Sequence, residues 1–156
     1  MFGGMPGYMI SVLYPGNLAE PLAGFLRNLF SIASFIILYF IGFYILLSSL
    51  KINRWLSVAG AIAFGLSSYF IIIISAGHAS KANAIGFLPI VIAGVLMTFR
   101  GKQIPGAILF ALGLSLELLA GHPQITYYGL ILLGIYGIVE FIFALKEKAL
   151  MPFFKA

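Results

Sequence analysis

Two stretches of this sequence hold most of the groups able to do chemistry. The first runs Ser75-Ala-Gly-His78-Ala-Ser80-Lys81-Ala-Asn83, the second Ala120-Gly121-His122-Pro123-Gln124-Ile-Thr126-Tyr127-Tyr128. His78 and Lys81 are three residues apart and share a face if that stretch is helical; Ser80 or Asn83 is expected to cap the helix that follows. In the second stretch Pro123 suits a first helical turn, where its missing N–H costs nothing. Gly121 or His122 then stands at the cap. An imidazole and the Gln124 amide beside free backbone N–H groups and a positive dipole end make a ready anion site. Glu117 lies one turn before Gly121 in an otherwise apolar run. A carboxylate inside a membrane span is read as functional by default, with His122 or Lys81 as its expected partner in an acid–base or orienting pair. Plainer readings stand beside these. Lys81 snorkels to headgroups with His78 at the interface, Glu117 reaches headgroup water, and at least one of Tyr127 and Tyr128 belongs to an interfacial aromatic belt.

Composition sets the medium in which those groups work. Of 156 residues, 62% are hydrophobic and 8% charged, with a mean hydropathy of +1.12. Soluble domains are about 25% charged because a solvated surface must be covered, so this is an integral membrane protein. Zero cysteines exclude disulfides, thiolate metal sites and cysteine nucleophiles. With no Asp either, a paired-Asp metal site is excluded and no metal or cofactor is expected. The net charge of +5 is read as a topology signal, with membrane lipids and no nucleic acid as partner. Met1–Tyr8 is Gly/Pro-rich and lacks the basic and apolar regions of a signal peptide.

A helical span needs ~20 mostly apolar residues. Five runs qualify or nearly so: Leu29–Leu50, Leu56–Ser75, Ala82–Phe99, Ile104–Ala120 and Ile125–Leu145. They are too long and too uniformly apolar for barrel strands. The expected fold is therefore all-α, a polytopic transmembrane helical bundle of about five spans. It divides into an outer-face loop and interfacial segment (1–28), a transmembrane helical domain (29–148) and a cytoplasmic tail (149–156). Seven of the nine basic residues (Lys51, Arg54, Arg100, Lys102, Lys146, Lys148 and Lys155) fall on alternate connections. The positive-inside bias makes that side cytoplasmic, which leaves the N-terminal segment and both histidine loops outside. Glu140, near the cytoplasmic end, is expected to pair with Lys146 or Lys148. Spans one, three and five then start outside. Their dipole ends, with Arg27, Lys81 and the histidines, favour an anionic ligand such as a phosphate.

Three pieces, in order and spacing, resemble the YfhO family of bacterial membrane proteins. They are Phe2-Gly-Gly-Met-Pro-Gly-Tyr8 with Leu13-Tyr-Pro15, Gly77-His-Ala-Ser-Lys81 with Phe87-Leu-Pro89, and Gly121-His-Pro-Gln-Ile-Thr-Tyr-Tyr128. The resemblance implies a GT-C-type glycosyltransferase in the cytoplasmic (inner) membrane. Such an enzyme takes a sugar from a polyprenyl-phosphate donor lipid at the outer face and passes it to a cell-envelope glycan acceptor. It implies binding roles for Tyr8, His78, Lys81, His122, Gln124 and Tyr127, with Glu117, Glu20 or an acid upstream of this sequence as the carboxylate that deprotonates the acceptor hydroxyl. The family chain is several times longer. The resemblance therefore implies an N-terminal-region piece, with a first span and an acidic residue upstream, and activity only at full length.

The alternative class is a non-enzymatic module, either a lipid-phosphate transporter or flippase piece or a scaffold. A transporter predicts midplane polar residues and interrupted helices. Charge sorting makes a direct prediction about sidedness. A membrane-impermeant thiol reagent applied from outside labels Ser80→Cys and Gln124→Cys but spares Asn53→Cys. The reverse pattern overturns the topology.

Overall fold

The computed structural model describes residues 33–146 together with Pro21, Gly24 and Phe25. Six helices follow one another among the described residues: α1 (Ala33–Ser49), α2 (Arg54–Gly65), α3 (Ser68–Ser75), α4 (Ala79–Phe99), α5 (Gln103–Leu119) and α6 (Pro123–Lys146). The all-helical bundle expected from sequence is what forms. The segments assigned to an outer loop (1–28) and a tail (149–156) lie outside the described residues, apart from the three positions named.

Among the described residues the span count is lower than five: only α4 and α6 are long and apolar enough there to cross a membrane, and α2 with α3 makes a third if that bent pair is one span. The helices α1 and α5 are described over 17 residues each. That is about 25 Å of rise against a hydrocarbon core of about 30 Å. The expected straight span at Leu56–Ser75 is instead broken, with a 42° bend between Gly65 and Ser68. Gly65-Leu66-Ser67-Ser68 explains the break, because glycine and serine are poor in a helix interior and serine favours a cap. The bent pair still passes along α1 in one direction. Gly60 meets Leu47 and Gly65 meets Phe40, while Phe70 and Ile73 continue into a cluster with Tyr39 and Ala82.

Turn chemistry sets the other boundaries. Gly77 has φ +78°, and the His78 N–H bonds back to the Ile73 carbonyl at 3.0 Å, a glycine-terminated helix end. This makes His78 the residue that precedes α4, so neither Ser80 nor Asn83 is the cap. The second motif behaves as its spacing predicts. Gly121 has φ +71°, and α6 opens at Pro123 with His122 immediately before it.

Helix direction follows from side-chain register. The Tyr39 hydroxyl donates to the Ala82 carbonyl at 3.0 Å, and Arg100 donates to the Ser49 carbonyl, so α1 and α4 run parallel. On α5, Gly113 lies against Val91 and Gly106 against Thr98, so α5 runs antiparallel to α4. Gly129 meets Leu88 and the Tyr136 ring packs edge-on to Phe99 with centroids 5.6 Å apart, which sets α6 parallel to α4. The bundle therefore has two chemically distinct ends. His78, Lys81, Glu117, His122 and Gln124 gather at one, here called the histidine end. Lys51, Arg54, Arg100 and Lys102 gather at the other, the basic end.

Small residues let α4 touch its neighbours backbone to backbone, as membrane helices do in place of a hydrophobic driving force. A methyl group on Gly94 would lie 2.5 Å from the Phe110 backbone nitrogen, whereas one on Gly134 of α6 would meet nothing within 4 Å. Gly94→Ala should therefore destabilise the detergent-solubilised protein by about 1–3 kcal/mol. Gly134→Ala should be neutral or stabilising by up to about 1 kcal/mol. Thermal unfolding of the two variants checks this, and equal shifts would contradict the packing.

Candidate functional site

The histidine end is assembled from the last turn of α5 and the first turns of α4 and α6, with α3 alongside. Lys81 lies on the first turn of α4 and is half-buried. Its ammonium sits 5.4 Å from the centroid of the Tyr69 ring on α3. A cation–π contact of this kind is worth about 0.5–2 kcal/mol, and it holds the amine at the surface while its N–H donors stay available. His78 is exposed at the α3–α4 turn and makes no side-chain capping bond to α4.

The second motif surrounds the start of α6. His122 is half-buried, and Gln124, Tyr127 and Tyr128 are exposed. The Gln124 amide donates to the Tyr128 hydroxyl at 3.2 Å, one helical turn along, which fixes the amide against the helix. Tyr127 packs against Tyr128 with ring centroids 5.8 Å apart. Tyr8 lies outside the described residues.

Glu117 behaves differently from its expectation. Only 1% of its surface is exposed, and neither carboxyl oxygen has a hydrogen-bond partner among the described residues. The expected pairing with Lys81 or His122 does not form, because Lys81 is drawn to Tyr69. The polar side chain acting on Glu117 is Thr126, on the first turn of α6. Thr126 is itself 6% exposed, and its hydroxyl also lacks a partner that meets hydrogen-bond geometry. A buried polar group left unpaired costs about 1–3 kcal/mol, so this pair stands out in a bundle of otherwise apolar contacts. Tyr136 is the described neighbour of Glu140; of its expected partners, Lys146 lies six residues on and points to another side of the helix, and Lys148 lies outside the described residues.

Sequence reasoning missed two participants. Tyr69 sits inside an apolar run read as plain span, and Thr126 was quoted within its motif without a role. Parallel packing of α4 and α6 brings both histidine turns to one end. Leu88 is nine residues into α4 and Gly129 six into α6, so the two helix starts differ in height by only about 4–5 Å. Together they offer one ammonium, two imidazoles and the N-terminal N–H groups of two helices, a donor-rich set suited to an anion. No group of three His, Asp or Glu side chains placed to hold a metal ion occurs among the described residues. No family model, no curated protein and no solved structure shows significant similarity to this chain.

Proposed function

We propose that the chain forms part of a membrane glycosyltransferase, and that its histidine end grips the phosphate of a polyprenyl-phosphate-linked sugar at the outer face of a bacterial inner membrane. The acceptor in this reading is a cell-envelope glycan. The observation that carries it is the parallel course of α4 and α6, which sets the Gly77–Lys81 and Gly121–Gln124 turns side by side at one end. These are the turns on which the resemblance to the YfhO family rests. Lys81 supplies the full charge, and His78, His122 and the helix-start N–H groups supply directional donors. Preorganised donors of this kind stabilise a departing phosphate. Gln124 and Tyr127 flank the same entrance, where exposed rings and an amide suit a sugar face. Glu117 enters as the carboxylate of this end, and it reaches an acceptor hydroxyl only when the α5–α6 turn opens, since it is closed over by packing.

One observation favours the second reading, a lipid-phosphate transporter or flippase. The break between α2 and α3 is the interrupted helix that such a protein uses. Against it, the interior of α4 between Ala84 and Met97 is apolar or glycine and proline throughout, which leaves no polar path along the central helix.

Removing one charged hydrogen bond to the phosphate costs about 1.5–3 kcal/mol, roughly ten- to a hundredfold in rate. Lys81→Ala and His122→Ala in the full-length protein should lose sugar transfer from a short-chain polyprenyl-phosphate donor by that factor. Lys81→Arg, which keeps the charge but alters its reach, should lose less. Lys146→Ala should match the parent. The assay is transfer in detergent normalised to monodisperse protein. Equal transfer by the Lys81, His122 and Lys146 variants overturns the phosphate site. Lipid translocation in vesicles without sugar transfer selects the transporter.

A further inference from the structure

The basic end carries the densest run of positive charge among the described residues. Lys51 and Arg54 lie at the α1–α2 turn, Arg100 and Lys102 at the α4–α5 turn, and neither turn contains an acidic residue. Arg100 donates to the Ser49 carbonyl at the end of α1, so the two turns meet. All four cations are exposed and share one surface. The acidic residue described nearest to it, Glu140, is engaged with Tyr136.

Large apolar side chains are interleaved with these charges. Trp55 is 71% exposed and Ile104 76% exposed, and the Arg54 guanidinium stands 5.6 Å from the Trp55 ring centroid. An exposed indole with a cation on its face suits the boundary between acyl chains and headgroups. A second observation concerns the backbone. Among the described residues the glycines with positive φ, Gly77, Gly101 and Gly121, each occupy a turn, but in the α1–α2 turn the same conformation is taken by Lys51 at φ 60°. A left-handed backbone costs a lysine more than a glycine. What lysine adds there, and glycine does not, is a charge aimed at this surface.

We propose that the basic end binds the phosphate of an anionic phospholipid headgroup. Lys51 and Lys102 reach the phosphate from adjoining turns, and Trp55 and Ile104 enter the acyl region beneath it. Arg100 is a positioning residue that holds the two turns together through Ser49. This site is separate from the histidine end and independent of the function proposed for it.

The test is native mass spectrometry of the full chain in a neutral detergent, offered equal amounts of phosphatidylglycerol and phosphatidylcholine. The parent should retain phosphatidylglycerol about tenfold over phosphatidylcholine. Lys51→Gln with Lys102→Gln should bring the ratio near one. Lys51→Gly separates binding from folding, because it removes the charge while easing the backbone. That variant should melt at or above the parent in lipid-free detergent and still retain less phosphatidylglycerol. Equal retention of both lipids by the parent, an unchanged ratio in the double variant, or displacement of the lipid by equimolar inorganic phosphate would each overturn the proposal.

Discussion

Close backbone contact along α4 is the constraint on which the rest of the molecule depends. Water-excluded burial does not drive helices together in a bilayer, so contact must come from shape. Gly42 of α1 lies against the Gly86 carbonyl and Gly94 against the Phe110 backbone of α5, at distances that no side chain would permit. With both neighbours held this tightly, the register of α4 against each is set, and the direction of every other helix follows. Tyr39 adds a directional lock, its hydroxyl donating to the Ala82 carbonyl across α1 and α4. By contrast α6 touches the bundle at few places, through Thr126, Gly129 and Tyr136. Almost none of its span is buried, against half of α4.

This arrangement separates two kinds of chemistry by the length of one helix. The histidine end gathers a lysine, two imidazoles and two helix starts, with a carboxyl sealed just inside. The basic end gathers cations and exposed apolar anchors. The two ends differ because successive helices, with α2 and α3 taken together, alternate in direction, so that each class of turn returns to the same side. Arg100 illustrates how charge also serves structure, since it caps the carbonyl end of α1, where a cation opposes the negative dipole.

Much of this was legible in the sequence, and for physical reasons. The apolar runs are helical over their described residues apart from one break, because a backbone without water must bond to itself, and the alternating charges marked the turns that share an end. Pro123 announced the start of α6. Other features were hidden by their dependence on packing. Gly65-Leu66-Ser67-Ser68 sits in a run apolar enough to mask the break, although a glycine–serine cluster is a known site of kinks. Phe87-Leu-Pro89 lies inside α4, as the run Ala82–Phe99 implied, since membrane helices tolerate proline where neighbours surround them. The burial of Glu117 depends on how α5 meets α6, which no local pattern encodes. Lys81 was assigned an anionic partner by charge alone, whereas geometry places it over Tyr69.

The central claim is that the two histidine-bearing turns stand together at one end of the bundle. Pulsed electron spin resonance between labels at Ser80→Cys and Gln124→Cys measures this directly, with Ser80→Cys and Lys102→Cys as the reference pair along a helix of 21 residues. The Ser80–Gln124 separation should be clearly shorter than that of the reference pair, which spans about 30 Å. A Ser80–Gln124 distance equal to or longer than that reference would contradict the shared site.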